Sequence, residues 1–538
     1  MRIAEDTLPM STPSFPNTQF HQNWLLRKPE ASGDKGVVAC QHRAAAEIGA
    51  EVLRDGGNAV DAAIAVSFAI SVVEPWMSGM GGGGYMQVAL AKKGTFRCIN
   101  MGMVAPKGLR LEDYPLDTAG GVSGDLFAWP NVLENRNIVG YHSIAVPGLV
   151  AGMAFAHARY GSKPWAELLW PAIALAKRGL PVTWYMSLRT LGAARELRRF
   201  LASQETYLPG GLPPTAEQGK PIPHLPLGKL PDTLGRIAEA GAEDFYKGDI
   251  AKQILRDARA GGSRLSAEDL TRYAASEAPP IERPFGAGTL HAAPGLTAGP
   301  TLLRTAELAE GKAKGKGAPD AALFAAWAKA LAQAYDERFR TMGDTDDRRD
   351  PACTSNFTVA DKDGNMVCVT QTLLSVFGSK VVFPGTGILM NNGIMWFDPR
   401  PGGPNALAPG KRPLSNMCPT IVSRDGKPWF AIGASGGRRI MPAVFQVAAM
   451  LALRGMAPED AYYQPRIDVS GEGRCTVDPM LDPQVAAAIE PHMPVIPGEN
   501  AVYPHHYACP NLVLRDPETR RFHGFAHPMT PPSGAVAV

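Results

Sequence analysis

A chain of 538 residues exceeds the size at which a single core stops growing, and its 45% hydrophobic and 20% charged content can fill a large folded interior. The formal net charge of +3 is too balanced to point to nucleic acid or an anionic membrane surface. No run of 18 apolar residues is long enough to cross a bilayer, and the seven cysteines are odd in number, scattered and without CxxC spacing. That usage argues against a disulfide framework or a zinc site, so buried structural thiols, no metal and no cofactor are expected.

Residues 1–35 read as an N-terminal arm that packs on the body. Their longest apolar run, Trp24-Leu25-Leu26, is no signal-peptide core, and the expected location is cytoplasmic. From Gly36 the chain reads strand, then a helix over residues 43–53 ended by Asp55-Gly56-Gly57-Asn58, then an apolar core helix over residues 59–73. The run Gly81-Gly82-Gly83-Gly84 lacks the Lys-Ser/Thr of a phosphate loop, which favours close backbone approach beside a sheet over nucleotide binding. Residues 87–91 and 95–100 predict a hairpin.

Helices are expected over residues 149–160, 164–178 and most of 186–280, with a capping-box-like start at Ser266-Ala267-Glu268-Asp269 that lacks Glu or Gln at N3. Another helix is expected over residues 321–340, after a flexible basic loop at 310–319. A buried helix over 442–454 and a hairpin over 511–516 and 521–525 complete the body. Strands thus gather towards both ends of the chain, with helices between them.

The informative stretch is Cys353-Thr354-Ser355-Asn356-Phe357-Thr358-Val359, a turn at Asp361-Lys362-Asp363-Gly364-Asn365, and Met366-Val367-Cys368-Val369-Thr370-Gln371-Thr372. Alternation, β-branched residues and Asp/Gly/Asn turn chemistry predict a hairpin in which Thr354 lies opposite Thr372. Facing threonines are common in sheets and stabilise them, so this pair alone reads as sheet pairing rather than as catalysis.

Context adds more. Downstream lie Pro384-Gly385-Thr386-Gly387, Asn391-Asn392, Lys411-Arg412-Pro413-Leu414-Ser415 and Ala434-Ser435-Gly436-Gly437-Arg438-Arg439. Upstream lie Gly57-Asn58-Ala59-Val60-Asp61-Ala62-Ala63 and the four glycines. In this order the segments resemble the γ-glutamyltransferase family of N-terminal-nucleophile hydrolases, over about residues 36–515.

The resemblance implies an α+β fold, a four-layer αββα sandwich. It also implies autocleavage between Cys353 and Thr354, giving a large subunit (36–353, behind the arm 1–35) and a small subunit (354–538) that stay together as a heterodimer. Thr354 becomes the nucleophile. Its own new α-amine, which titrates at about 7.7–8.0, is the base. Thr372 orients it, and the backbone N–H groups of Gly436 and Gly437 form the oxyanion hole. The expected partners are a small-molecule amide and the companion chain, with neither nucleic acid nor membrane.

The family's substrate positions fall on Leu374, Trp396, Ser415 and Asn416, and Gly102 stands where an arginine would hold an α-carboxylate. A free amino-acid head group loses both charged partners there, and burying unpaired charge costs several kcal/mol. Arg438 and Arg439, beside the glycine pair, can instead meet an acyl carboxylate or form surface ion pairs. Three expectations follow: hydrolysis or transfer of γ-glutamyl, glutathione-like amides through an acyl-Thr; a glutaryl- or cephalosporin-type acylase acting on an acyl group without an amino-acid head; or an unprocessed binding homologue without catalysis.

Overall fold

The computed structural model describes residues 26–122, 129–312, 315–342, 353–471 and 473–538. Two seven-stranded antiparallel sheets form its centre. The first runs in the order Gly534–Ala537, Gly36–Cys40, Cys353–Asp361, Met366–Leu374, Gly83–Leu90, Thr95–Met101 and Ser276–Ala278. The second runs Ala31–Gly33, Phe522–Ala526, Cys509–Arg515, Lys427–Ser435, Thr420–Arg424, Gly288–Ala292 and Ile281–Phe285.

Between the sheets lies a thin apolar layer of Val37, Ala39, Ala360, Met366, Cys368, Ile421, Ala431, Val513 and Phe522. The strands are small-residue-rich because the sheets approach closely: a Cβ on Gly433 would sit 2.2 Å from Asn356 Nδ2. Helices Arg43–Arg54, Ala59–Val73 and Leu149–Tyr160 cover the outer face of the first sheet. Helices Gly299–Leu308, Ala321–Thr341 and Ile440–Ala452 cover the second. The four layers are the expected αββα sandwich. Ala59–Val73 is buried along its whole length, as a helix apolar on every side must be.

The hairpin forms as expected. Asp361 fixes its turn: Oδ1 accepts from the backbone of Asp363 and Asn365, each at 3.0 Å, and Oδ2 accepts from Ala59 N–H at 2.9 Å. One carboxylate therefore closes the turn and seats the start of the core helix. The glycine run is the expected close approach, since a Cβ on Gly82 would lie 2.1 Å from the Thr372 carbonyl oxygen and one on Gly84 2.4 Å from that of Thr370.

Several expectations need correction. Residues 212–229 carry no helix, because five prolines interrupt them. The expected box-like start at Ser266, by contrast, forms with aspartate at N3: Asp269 Oδ2 accepts from Ser266 N–H at 2.9 Å and Ser266 Oγ accepts from Asp269 N–H at 3.2 Å. The described part of the basic loop is tied down, since Arg454 donates to the carbonyls of Lys316, Gly317 and Ala318. Strands also occur mid-chain, in the hairpin Ile281–Phe285 and Gly288–Ala292. Of the N-terminal arm, residues 1–25 lie outside the described residues, and Ala31–Gly33 adds an edge strand against Phe522–Ala526.

Among the described residues, no helix is long and apolar enough to cross a membrane, and no group of three or more His, Cys, Asp or Glu side chains could hold a metal ion. The six cysteines whose side chains are described are free and buried.

Candidate active site

Thr354 is the second residue of its strand and is 5% exposed. From Ser355–Gln371 to Ala360–Met366 the register is the expected one. At the strand start it slips: Cys353 pairs with Leu374, so Thr372 and Leu373 together oppose Thr354. The simple Thr354–Thr372 pair is thus replaced by a β-bulge, a device that re-aims side chains. Leu374 has φ +89°, and Thr372 Oγ1 accepts its N–H at 2.8 Å, which holds the bulge.

Behind this strand start lies a buried polar chain. Gln371 Nε2 donates to Ser78 Oγ at 3.1 Å, Ser78 Oγ donates to Ser355 Oγ at 2.9 Å, and Ser355 Oγ donates to Glu74 Oε2 at 2.6 Å. Ser67 Oγ anchors the far end on Gln371 Oε1 at 2.6 Å. Glu74 is wholly buried, and its other oxygen, Oε1, has no hydrogen-bond partner. Burial pushes its carboxyl up to about 8, against the pull of the Ser355 hydroxyl and of Arg189.

The glycine loop follows the strand Lys427–Ser435, which faces the hairpin from the opposite sheet. Gly436 has φ +135° and Gly437 φ +58°. A Cβ on Gly436 would lie 2.7 Å from Ala508 Cα, so both conformation and space demand glycine there. Gln41 ties this loop to the nucleophile strand. Its Nε2 donates to Ser435 Oγ at 2.5 Å, and its Oε1 accepts Asn356 N–H at 2.5 Å. The candidate nucleophile and the candidate oxyanion donors are thereby referenced to one side chain.

On the other side of the bulge, Leu374, Trp396, Phe397, Met103, Met417 and Tyr85 belong to one buried apolar cluster. Leu374 and Trp396 are thus buried among apolar side chains, and the Arg412 guanidinium acts electrostatically on Tyr85 of the same cluster. Ser415 and Asn416 border this cluster through Met417. Arg338 fastens them, with Nη2 donating to the Ser415 carbonyl at 2.8 Å and to Asn416 Oδ1 at 3.3 Å. Gly102 donates its N–H to Asn100 Oδ1 at 2.9 Å, and its carbonyl accepts from Arg412 at 2.7 Å. Arg438 is no surface residue: it is buried, its guanidinium lies 5.7 Å from the Phe339 ring centroid, and its carbonyl accepts from Tyr335 Oη.

Sequence reasoning missed Gln41, Glu74 and Arg338, and quoted Asn391-Asn392 without a role. Asn391 Nδ2 donates to the Gly81 and Ala145 carbonyls at 2.6 and 2.8 Å, while Asn392 Oδ1 accepts from Ser375 N–H at 3.0 Å. These bonds lock the segment after the bulge. A signal existed for Arg338, which lies on the apolar side of its helix with Leu331, Ala334 and Tyr335, and for Glu74, which ends an otherwise apolar helix.

Such a sandwich is the fold of the N-terminal-nucleophile hydrolases. A family model described as gamma-glutamyltranspeptidase matches residues 45–352 and 346–503, and the chain belongs to that family. The chain is 31% identical over 505 residues to the "Acylase ACY 1 proenzyme" of Pseudomonas sp. (strain SE83), covering 87% of this chain and 88% of that one. It is likewise 31% identical over 487 residues to the "Glutathione hydrolase proenzyme" of Escherichia coli (strain K12), covering 80% of each. The structure of a cephalosporin acylase from Bacillus halodurans superposes with a TM-score of 0.81 at 25% identity, covering 99% of both chains. The protein is therefore an amide-bond hydrolase or acylase of this family.

Proposed function

We propose that the chain cuts itself between Cys353 and Thr354 and that the freed Thr354 then cleaves amides of acyl groups without a charged amino-acid head. In the first event the Thr354 hydroxyl attacks the Cys353 carbonyl, and water hydrolyses the resulting ester, leaving residues 354–538 with a free α-amine. In each turnover that amine takes the Thr354 proton as Oγ bonds to the substrate carbonyl. The C–N bond then breaks, the leaving nitrogen receives the proton, and water or another amine releases the acyl group. The N–H groups of Gly436 and Gly437 stabilise the tetrahedral oxyanion, and Thr372 holds the bulge that orients the nucleophile. The two chains stay together because each contributes strands to both sheets.

The observation that carries the choice of acyl group is the apolar cluster around Leu374 and Trp396. An α-ammonium buried there would meet only apolar side chains within the cluster, at a cost of several kcal/mol. The likeness to named acylases supports the same reading. The equal identity to a glutathione hydrolase favours γ-glutamyl amides as the second reading.

Glutaryl-4-nitroanilide and γ-glutamyl-4-nitroanilide, compared on the same preparation, separate the two, and the glutaryl compound is expected to turn over faster. Equal or faster γ-glutamyl turnover sinks the apolar-pocket reading. Thr354→Ala is expected to give one uncut band and no hydrolysis of either compound. A cut Thr354→Ala chain would place the scissile bond elsewhere.

A further inference from the structure

The helix Trp184–Leu197 packs one face on the body through Tyr185, Met186, Ala193 and Leu197, all buried. Its other face also carries large apolar side chains, and that face lies in solvent. Trp184 is 58% exposed, and Leu191, two turns further on, is 63% exposed. A helix apolar on both faces is normally covered on both.

The chain beside this helix extends the same surface. Ser187 Oγ donates to the Pro214 carbonyl at 2.6 Å, and Arg198 donates to the Gly211 carbonyl at 2.8 Å. Ser187, Leu191 and Arg198 share one helix face, so residues 211–214 run back along that face and set Leu212, 66% exposed, beside Leu191. At the other end, Val182 N–H donates to the Pro223 carbonyl at 2.9 Å, which brings the half-exposed Ile222 next to the helix start. Single exposed apolar residues are ordinary, but a contiguous group of them marks a surface that meets something.

Charge narrows down what it meets. Arg195, Arg198 and Arg199 follow Leu191 at the end of the helix, and all three are exposed. Among the described residues none of them forms an ion pair: Arg198 is spent on the Gly211 carbonyl, and the Arg199 guanidinium lies 5.8 Å from the Phe200 ring centroid. Glu196 and Glu205 are the acids on this helix and the next, so cations are in excess. A whole-chain charge of +3 hides such a local grouping. A second copy of the chain is a poor fit, because a two-fold contact would press like guanidinium groups together. An anionic bilayer surface suits both halves of the patch. Tryptophan and leucine enter the headgroup layer, and arginine meets phosphate.

We propose that the outer side of Trp184–Leu197, with Leu212 and Ile222 beside it, docks on an anionic lipid surface. Trp184 and Leu191 enter the headgroup layer there, and Arg195 and Arg199 meet lipid phosphates. The surface lies wholly within residues 182–223, so the proposal is independent of cutting at Thr354 and of which amide is cleaved.

The test sediments the purified protein with vesicles of phosphatidylcholine alone and of phosphatidylcholine mixed with phosphatidylglycerol. One variant combines Arg195→Gln and Arg199→Gln, and the other combines Trp184→Ser and Leu191→Gln. All four positions are exposed, and circular dichroism checks that each variant is folded. Wild-type protein is expected to partition onto the mixed vesicles at least about tenfold more strongly than onto phosphatidylcholine, with the advantage shrinking at high salt. A basic residue near such a surface is worth roughly fivefold in partitioning, so the arginine variant is expected to lose about 25-fold. The apolar variant is expected to lose at least about tenfold. Equal partitioning of wild-type protein onto the two vesicles, or undiminished binding by either variant, overturns the proposal. So does a dimer, seen by light scattering, that the apolar variant dissolves in a protein that ignores the mixed vesicles; that result assigns the face to a second copy.

Discussion

Glu74→Gln isolates the cost of keeping a carboxyl group behind the nucleophile strand. Glutamine keeps the acceptor for Ser355 Oγ and is close to isosteric. In the wild-type protein the folded carboxyl titrates near 8 against an ordinary value of 4.5. The folded pKa is raised, so stability is complete below pH 4.5, where both states hold the proton. Between pH 4.5 and 8 the unfolded chain ionises while the folded one does not, and each pH unit removes about 1.4 kcal/mol. The loss is about 3 kcal/mol at pH 7 and levels off above pH 8 at about 5 kcal/mol. Glutamine titrates in neither state, so the variant gains on the wild type as pH rises. At about 2.1 cal/mol/K of unfolding entropy per residue, a chain of 538 residues gains roughly 2 °C in relative Tm between pH 5 and pH 7. Thermal melts of both proteins at one scan rate, at pH 5, 7 and 9, read this directly. A Tm difference that stays constant across that range would mean that Glu74 is already ionised in the fold, and the burial argument would fail.

Gly436→Ala forces a Cβ to within 2.7 Å of Ala508 Cα at φ +135°, so the loop must move; kcat is expected to fall about 10²- to 10³-fold, the worth of an oxyanion donor, and an unchanged kcat removes Gly436 from that role. Gln41→Leu leaves Asn356 N–H buried without its acceptor, which costs about 1–3 kcal/mol; a drop in Tm together with slower cutting at Thr354 is expected, and unaltered cutting kinetics would show that the loop is positioned without Gln41. Thr372→Val removes the acceptor that holds Leu374 N–H and is expected to slow cutting at least tenfold with the fold retained by circular dichroism; wild-type cutting would show that the bulge needs no hydroxyl. Burial pushes the Cys98, Cys368 and Cys418 thiols up to about 12, so they should resist a thiol reagent at pH 8 until denaturant is added; rapid labelling of any of them in native protein contradicts their burial.

The secondary structure that came correctly from sequence is that whose cause is local. The Asp361–Asn365 turn, the cap at Ser266 and the strand alternation of the central hairpin all depend on residues within a few positions of one another. Where local reading failed, a distant partner decided. Arg454 pins a loop more than 130 residues earlier, and the Cys353–Leu374 pairing inserts a bulge that alternation alone does not show.

The order of motifs was enough to place the chain in its family and to single out Thr354, Thr372 and the glycine pair as candidates, because residue types at fixed spacing are written in the chain itself. Only the folded molecule joined Gln41 to Ser435 and Asn356, set Glu74 against Ser355, and gathered Leu374 and Trp396 into one apolar cluster. Those meetings bring together residues up to several hundred positions apart. They depend on how two sheets stack and how closely small side chains let them approach, which no short window of sequence encodes.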